Sequence, residues 1–213
     1  MTRPIQLDND CYRYLDEGDF CYHFLEYTSG GGFGVSQGNQ QILNLKKRPS
    51  SSERELYYKG KSVAFWGDLL ASALNLTAAS VNSTFVPMPC SKPVGHVDYD
   101  DRMLKVLRRM SRLTPQLDVR ELLVQDASRT SQHEGERLSP EQIASYMSIN
   151  QDALAAPIKD YLIVVDDVIT MGASFKAAKI LIERANISSQ VVGLFLAKTV
   201  WPASELDDWL GAL

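Results

Sequence analysis

Five apolar residues, Tyr161, Leu162, Ile163, Val164 and Val165, run straight into two acids, Asp166 and Asp167, and then into a turn that ends in Gly172, Ala173 and Ser174. An apolar run of this length reads as a strand buried on both faces. Phe175, Ala178, Leu181, Ile182 and Ala185 follow at helical spacing, so the turn joins a buried strand to the start of an amphipathic helix.

Such a junction binds anions. The first N–H groups of a helix have no internal partner and together carry roughly half a positive charge, which a phosphate satisfies. Gly172 and Ala173 let the main chain approach a ligand closely, and the hydroxyls of Thr170 and Ser174 add donors. Carboxylates repel phosphate, so Asp166 and Asp167 need a different partner: vicinal sugar hydroxyls, or a hydrated cation. A ribose 5-phosphate suits both halves. Acids that end a strand also cap turns, which is the purely structural alternative.

Strand, paired acids, Thr-Gly-containing turn and helix, in that order, resemble the phosphoribosyl pyrophosphate signature of the type I phosphoribosyltransferases. The resemblance implies that Asp166 and Asp167 hold the ribose 2- and 3-hydroxyls and engage Mg²⁺ through water or the ligand. It also implies that Thr170, Met171, Gly172, Ala173 and Ser174 bind the 5-phosphate. Met171 stands where the family has Thr or Ser, and its backbone amide survives the change.

Upstream, residues 83–88 read as a buried strand, 99–113 as a helix buried through Met103, Val106, Leu107 and Met110, and 120–125 as another strand, with 161–165 and 190–197 supplying two more. Strands that alternate with helices predict a doubly wound α/β sheet whose ligands bind at the carboxyl ends of the strands. Pro87, Pro89 and Pro93 stiffen the end of the first of these strands. This Val-Pro-Met-Pro strand end with a basic residue after it is similar to a loop in phosphoribosyltransferase-like proteins related to the competence protein ComF. By that resemblance Cys90, Ser91 and Lys92 form the pyrophosphate loop, and Lys92 joins the two acids as a catalytic residue by offsetting charge on the leaving group.

Residues 127–140 are polar and lack periodicity, as lids and solvated loops do. The family carries a mobile loop here that closes over the substrates, which makes Arg129, His133 and Arg137, with Glu134, the lid candidates. Ser139, Pro140, Glu141 and Gln142 read as a capped helix start. Residues 1–78 match no part of the signature and are expected to form an N-terminal hood or extension beside a core at 79–213, contacting an acceptor, a second copy or another protein. Residues 20–28 read as a strand with aromatic residues on alternating positions, which either stack a nucleobase or fill a small core. Gly30, Gly31, Gly32 and Gly34 read as a turn, and 61–76 as an amphipathic helix.

At 213 residues the chain can bury a full core. A net charge of −4 argues against a nucleic-acid partner, and the basic cluster Arg102, Lys105, Arg108, Arg109 and Arg112 reads as a solvated helix face. No run of eighteen apolar residues offers a membrane span, and Cys11, Cys21 and Cys90 lack metal-ligand spacing, so a cytoplasmic protein with reduced thiols is expected. The fold expected is therefore α/β: a Rossmann-like type I phosphoribosyltransferase core with a mostly parallel sheet and an N-terminal hood. The function implied is a pentosyltransferase of nucleotide metabolism that transfers ribose 5-phosphate from phosphoribosyl pyrophosphate to a nitrogen acceptor. The alternative is a non-catalytic sensor of a phosphoribosyl ligand.

Overall fold

The computed structural model describes residues 2–129 and 138–202. In chain order the elements are β1 (Ile5–Gln6), β2 (Phe20–Thr28), α1 (Gln37–Leu45), α2 (Glu53–Ala73), α3 (Leu76–Asn82), β3 (Ser83–Pro87) and α4 (Arg102–Met110). There follow β4 (Asp118–Val119), β5 (Leu123–Gln125), α5 (Pro140–Ala144), β6 (Met147–Ile149), β7 (Tyr161–Ile169), α6 (Ala173–Arg184) and β8 (Gln190–Val200).

Six strands form one sheet in the order β1-β2-β8-β7-β3-β4, parallel throughout except for the short edge strand β1. β7 lies near its centre, as its apolar run requires. Leu162 and Val164 pack into one core layer with Phe175, Ala178 and Ile182 of α6. Ile163 and Val165 face the other layer, with Trp66 and Leu70 of α2 and Val106 and Leu107 of α4. From β7 the chain winds through α6 to β8 in one direction; from β3 it winds through α4 to β4 in the other. The winding therefore reverses between β3 and β7, and the crevice at their carboxyl ends is where ligands of such sheets bind. The α/β class and the mostly parallel sheet are as the alternating pattern predicts.

Several boundaries differ from the expectations. The strand at 161–165 continues to Ile169, so both acids lie within it, and Asp166 pairs with Phe195 of β8. Of the strand expected at 120–125 only Leu123–Gln125 forms, as β5 in a second, two-stranded sheet, while β4 ends just before it at Val119. β4 pairs with β3, whereas β5 pairs antiparallel with β6. Arg120 explains the break: its guanidinium holds Asp118 at 2.8 Å through Nε and Nη2 and donates to the carbonyls of Ala153, Ala156 and Pro157. That turns the chain out of the sheet. The helix expected over 99–113 starts only at Arg102, and the one expected at 61–76 starts at Glu53, where Ser52 and Glu55 form a reciprocal capping box.

Residues 1–78 do not stand apart from the core. β2 pairs along its length with β8, and α1 and α2 bury Ile42, Leu45, Trp66 and Leu70 in the second layer. Asn39 of α1 donates to the Thr28 carbonyl and accepts from the Thr28 amide, both at 2.8 Å, which ties α1 to the end of β2. Cys21 and Phe24 are buried, so these residues of β2 serve packing. No helix among the described residues is long and apolar enough to cross a membrane, and all three cysteines are free.

Candidate functional site

A cleft of about 780 Å³, counting its open mouth, lies at the reversal point between β3 and β7. Its walls come from the loop after β3 (Met88, Pro89, Cys90, Ser91), the end of β7 (Asp166, Asp167, Val168, Ile169) and the turn into α6 (Thr170 through Phe175). Lys46, Arg102, Arg129 and Phe195 complete it.

Gly172 shapes the turn. Its φ is +85°, and a Cβ there would lie 2.9 Å from Leu15 Cδ2. Only glycine meets both demands without strain. No side chain caps the amino end of α6, and the first intrahelical bond runs from the Lys176 amide to the Gly172 carbonyl at 3.0 Å. The amides of Ala173, Ser174 and Phe175 thus precede the helix ladder at the cleft. Behind the turn the Tyr14 amide donates to the Met171 carbonyl at 3.1 Å, and the Thr170 and Thr199 hydroxyls pair at 2.9 Å.

The two acids have different surroundings because neighbouring strand positions face opposite sides. Asp167 points toward the second layer and is 5% exposed. Arg102 donates to its Oδ2 through Nε at 2.8 Å and Nη2 at 2.7 Å, and the Lys46 ammonium lies 3.3 Å from Oδ1. Asp166 points toward the first layer, stays partly open to the cleft, and accepts the Asp167 amide at 2.7 Å. Among the described residues no cation pairs with it. Burial, reinforced by the charge of Asp167, raises its pKa to about 6, against the pull of that amide, Arg102 and Lys46. The same burial disfavours the charge on Arg102, but Asp167 and Asp100 outweigh it and raise the pKa of the guanidinium.

Arg129 is 8% exposed, and its orientation is fixed by a neighbour. Gln125 donates its amide nitrogen to the carbonyls of Ala127 and Tyr146 at 2.6 and 3.1 Å, which leaves Oε1 to accept Arg129 Nε at 3.3 Å. The Arg129 amide also donates to the Ser91 carbonyl at 3.0 Å, joining the base of the polar loop to the loop after β3. No carboxylate among the described residues forms an ion pair with Arg129. Burial pulls its pKa down, with Asp166 and Cys90 opposing.

The cleft thus brings together Asp166, Asp167, Thr170, Met171, Gly172, Ala173, Ser174, Cys90, Ser91 and Arg129 from the sequence-predicted set. Lys92 does not line it; that loop contributes its backbone and small side chains. His133, Glu134 and Arg137 lie outside the described residues. Sequence reasoning missed Lys46 and Arg102. Arg102 sat in a basic cluster that looks like a solvated face, and Lys46 follows α1 with no local signal. No group of three His, Cys, Asp or Glu side chains among the described residues makes a metal nest. The donor set fits a hard cation held by Asp166 together with ligand oxygens and water, not one caged by protein.

No family model matches the chain, and no curated protein matches it. Among solved structures it is similar to the orotate phosphoribosyltransferase from Aeropyrum pernix, at 16% identity over 75% of this chain and 82% of that one, with a TM-score of 0.36. It is also similar to the adenine phosphoribosyltransferase from Leishmania donovani, at 10% identity over 88% and 86% of the two chains, with a TM-score of 0.40.

Proposed function

We propose that the cleft binds phosphoribosyl pyrophosphate and transfers its ribose 5-phosphate to a nitrogen acceptor, releasing pyrophosphate. The observation that carries this reading is the uncapped amino end of α6, opened by a left-handed Gly172, beside the partly open carboxylate of Asp166. The α6 amides and the hydroxyl of Ser174 suit the 5-phosphate, and Asp166 suits a ribose hydroxyl. Lys46, Arg102 and Arg129 supply positive charge for the diphosphate, the role the family resemblance implied for Lys92.

In the reaction the C1–O bond to diphosphate breaks with its electron pair on the leaving oxygen. The acceptor nitrogen's lone pair forms the new C1–N bond, and its proton passes to solvent. The three cations stabilise charge growing on the diphosphate, and Asp166 orients the ring as positive charge develops at C1. Mg²⁺ would neutralise charge on the diphosphate, and Asp166 is the carboxylate that would share in holding it with ligand oxygens and water. Three free thiols and the soluble substrate agree with a cytoplasmic setting.

Calorimetric titration with phosphoribosyl pyrophosphate, with and without Mg²⁺, tests the binding; pyrophosphate release in a panel of nucleobases and amines tests the transfer. Absence of binding to the intact chain overturns the reading. One observation favours a second reading, a sensor that binds the same ligand and signals to a partner protein. Asp167 is saturated by Arg102 and Lys46, so one carboxylate remains to hold the ribose where the family pattern uses two. Tight binding without turnover for any acceptor selects the sensor.

A further inference from the structure

Lys59 lies within α2, and its ammonium is 2.7 Å from each of three acceptors: the Leu45 carbonyl, the Lys47 carbonyl and Asp100 Oδ2. The two carbonyls flank Lys46, whose side chain reaches the cleft. Asp100 Oδ2 also accepts Arg102 Nη1 at 3.0 Å, and Arg102 reaches the cleft as well. One buried ammonium therefore grips the backbone on both sides of one cleft cation and one of the two counter-ions of the other. Since Lys46 and Arg102 meet again at Asp167, the contacts close into a ring running from α2 through the start of α4 and the end of β7 to the end of α1.

The ring holds Lys46, Lys59 and Arg102 against Asp100 and Asp167, and Asp166 beside it also draws on Lys46 and Arg102. Lys59 is only 7% exposed. An ammonium stripped of water persists where its three protons find acceptors, and burial pulls its pKa down while Asp100 resists. For stability alone, an apolar side chain would fill the same space without that desolvation. It would not hold two carbonyls and a carboxylate at fixed separation.

We propose that Lys59 is a positioning residue: without touching ligand, it sets the spacing of Lys46 and Arg102 so that together they receive the diphosphate end of the substrate. This rests on the reading of the cleft given above. The 5-phosphate end, held by α6 on the other side of β7, lies outside the ring's reach.

The test is calorimetric titration of the full chain with inorganic pyrophosphate and, separately, ribose 5-phosphate. Lys59→Met should weaken pyrophosphate about tenfold or more and leave ribose 5-phosphate within about twofold. A scaffold role alone would lower the melting temperature and change both affinities equally or neither, and either result overturns the inference. Should the single variant fail to fold because Asp100 keeps only Arg102 as a cationic partner, Lys59→Met combined with Asp100→Asn removes the excess charge, leaves an acceptor for Arg102 and carries the same comparison. In the unsubstituted protein, the ¹⁵N signal of the Lys59 ammonium should move on adding pyrophosphate and stay put with ribose 5-phosphate. A signal indifferent to pyrophosphate overturns the inference. If the unsubstituted protein binds neither probe, the reading of the cleft fails, and this inference with it; binding of both with pyrophosphate unaffected by substitution sinks the inference alone.

Discussion

Arg102 closes on Asp167 with two nitrogens directed at one oxygen, Nε at 2.8 Å and Nη2 at 2.7 Å. That contact gives two adjacent acids different work. Asp167 pairs with Arg102 and Lys46 of the cleft wall, and Asp166 is left to face the cleft.

Asp167→Asn should therefore destabilise the protein by about 3 kcal/mol, because it strips a half-buried guanidinium and an ammonium of a shared counter-charge. Asp166→Asn removes no ion pair and should leave stability near neutral pH unchanged or higher. Urea denaturation of both variants measures the contrast. Equal losses would contradict the assigned division. On the sequence alone both acids look like surface groups at a strand end, dispensable for folding; burial of Asp167 changes that expectation.

The pH dependence of stability should carry the signature of Asp166. Its folded-state pKa of about 6 lies above the ordinary 3.8, so the folded chain holds this proton more tightly than the unfolded chain does. Its stabilising contribution is complete below the unfolded value and is lost as pH rises through about 6. Relative to Asp166→Asn, the unsubstituted protein should lose about 2 kcal/mol across that interval, a figure reduced from the full shift because part of the carboxylate meets water. Melting temperatures of the pair between about pH 4 and pH 7 give the difference directly.

Gly172→Ala should cost about 1–3 kcal/mol from backbone strain, with more from the close approach to Leu15. It should also weaken ribose 5-phosphate by about tenfold or more, because the turn presents the α6 amides. Gly32→Ala is the control: its φ is +69°, but no atom lies within 4 Å of the added carbon. Thermal melts should show strain in both variants, and calorimetry should show the affinity loss in Gly172→Ala alone.

Arg129→Met removes a buried charge that has no ion-pair partner among the described residues. The melting temperature should hold or rise, since the desolvated guanidinium no longer opposes folding. Pyrophosphate affinity should drop about tenfold or more. Lys92→Ala, outside the cleft lining, should change that affinity by less than about twofold. The reverse ranking of the two variants would return the pyrophosphate role to Lys92.

Local sequence determined the elements that need no distant partner. The apolar run before Asp166 read as a buried strand, and the spacing from Phe175 onward as the helix after it. Ser139 and Gln142 announced their capping box because a cap is a contact between residues three apart. For the same reason the turn at Gly172 was legible. The roles of the charged side chains were not, because they depend on residues far apart in the chain. Lys59 meets Asp100 across 41 positions and Arg102 meets Asp167 across 65, and no periodicity or motif encodes such a meeting. Tertiary packing decided which acid is neutralised and which cations reach the cleft. An ionic group's behaviour follows from the partners and water that remain around it after folding, and these are assembled by the whole sheet.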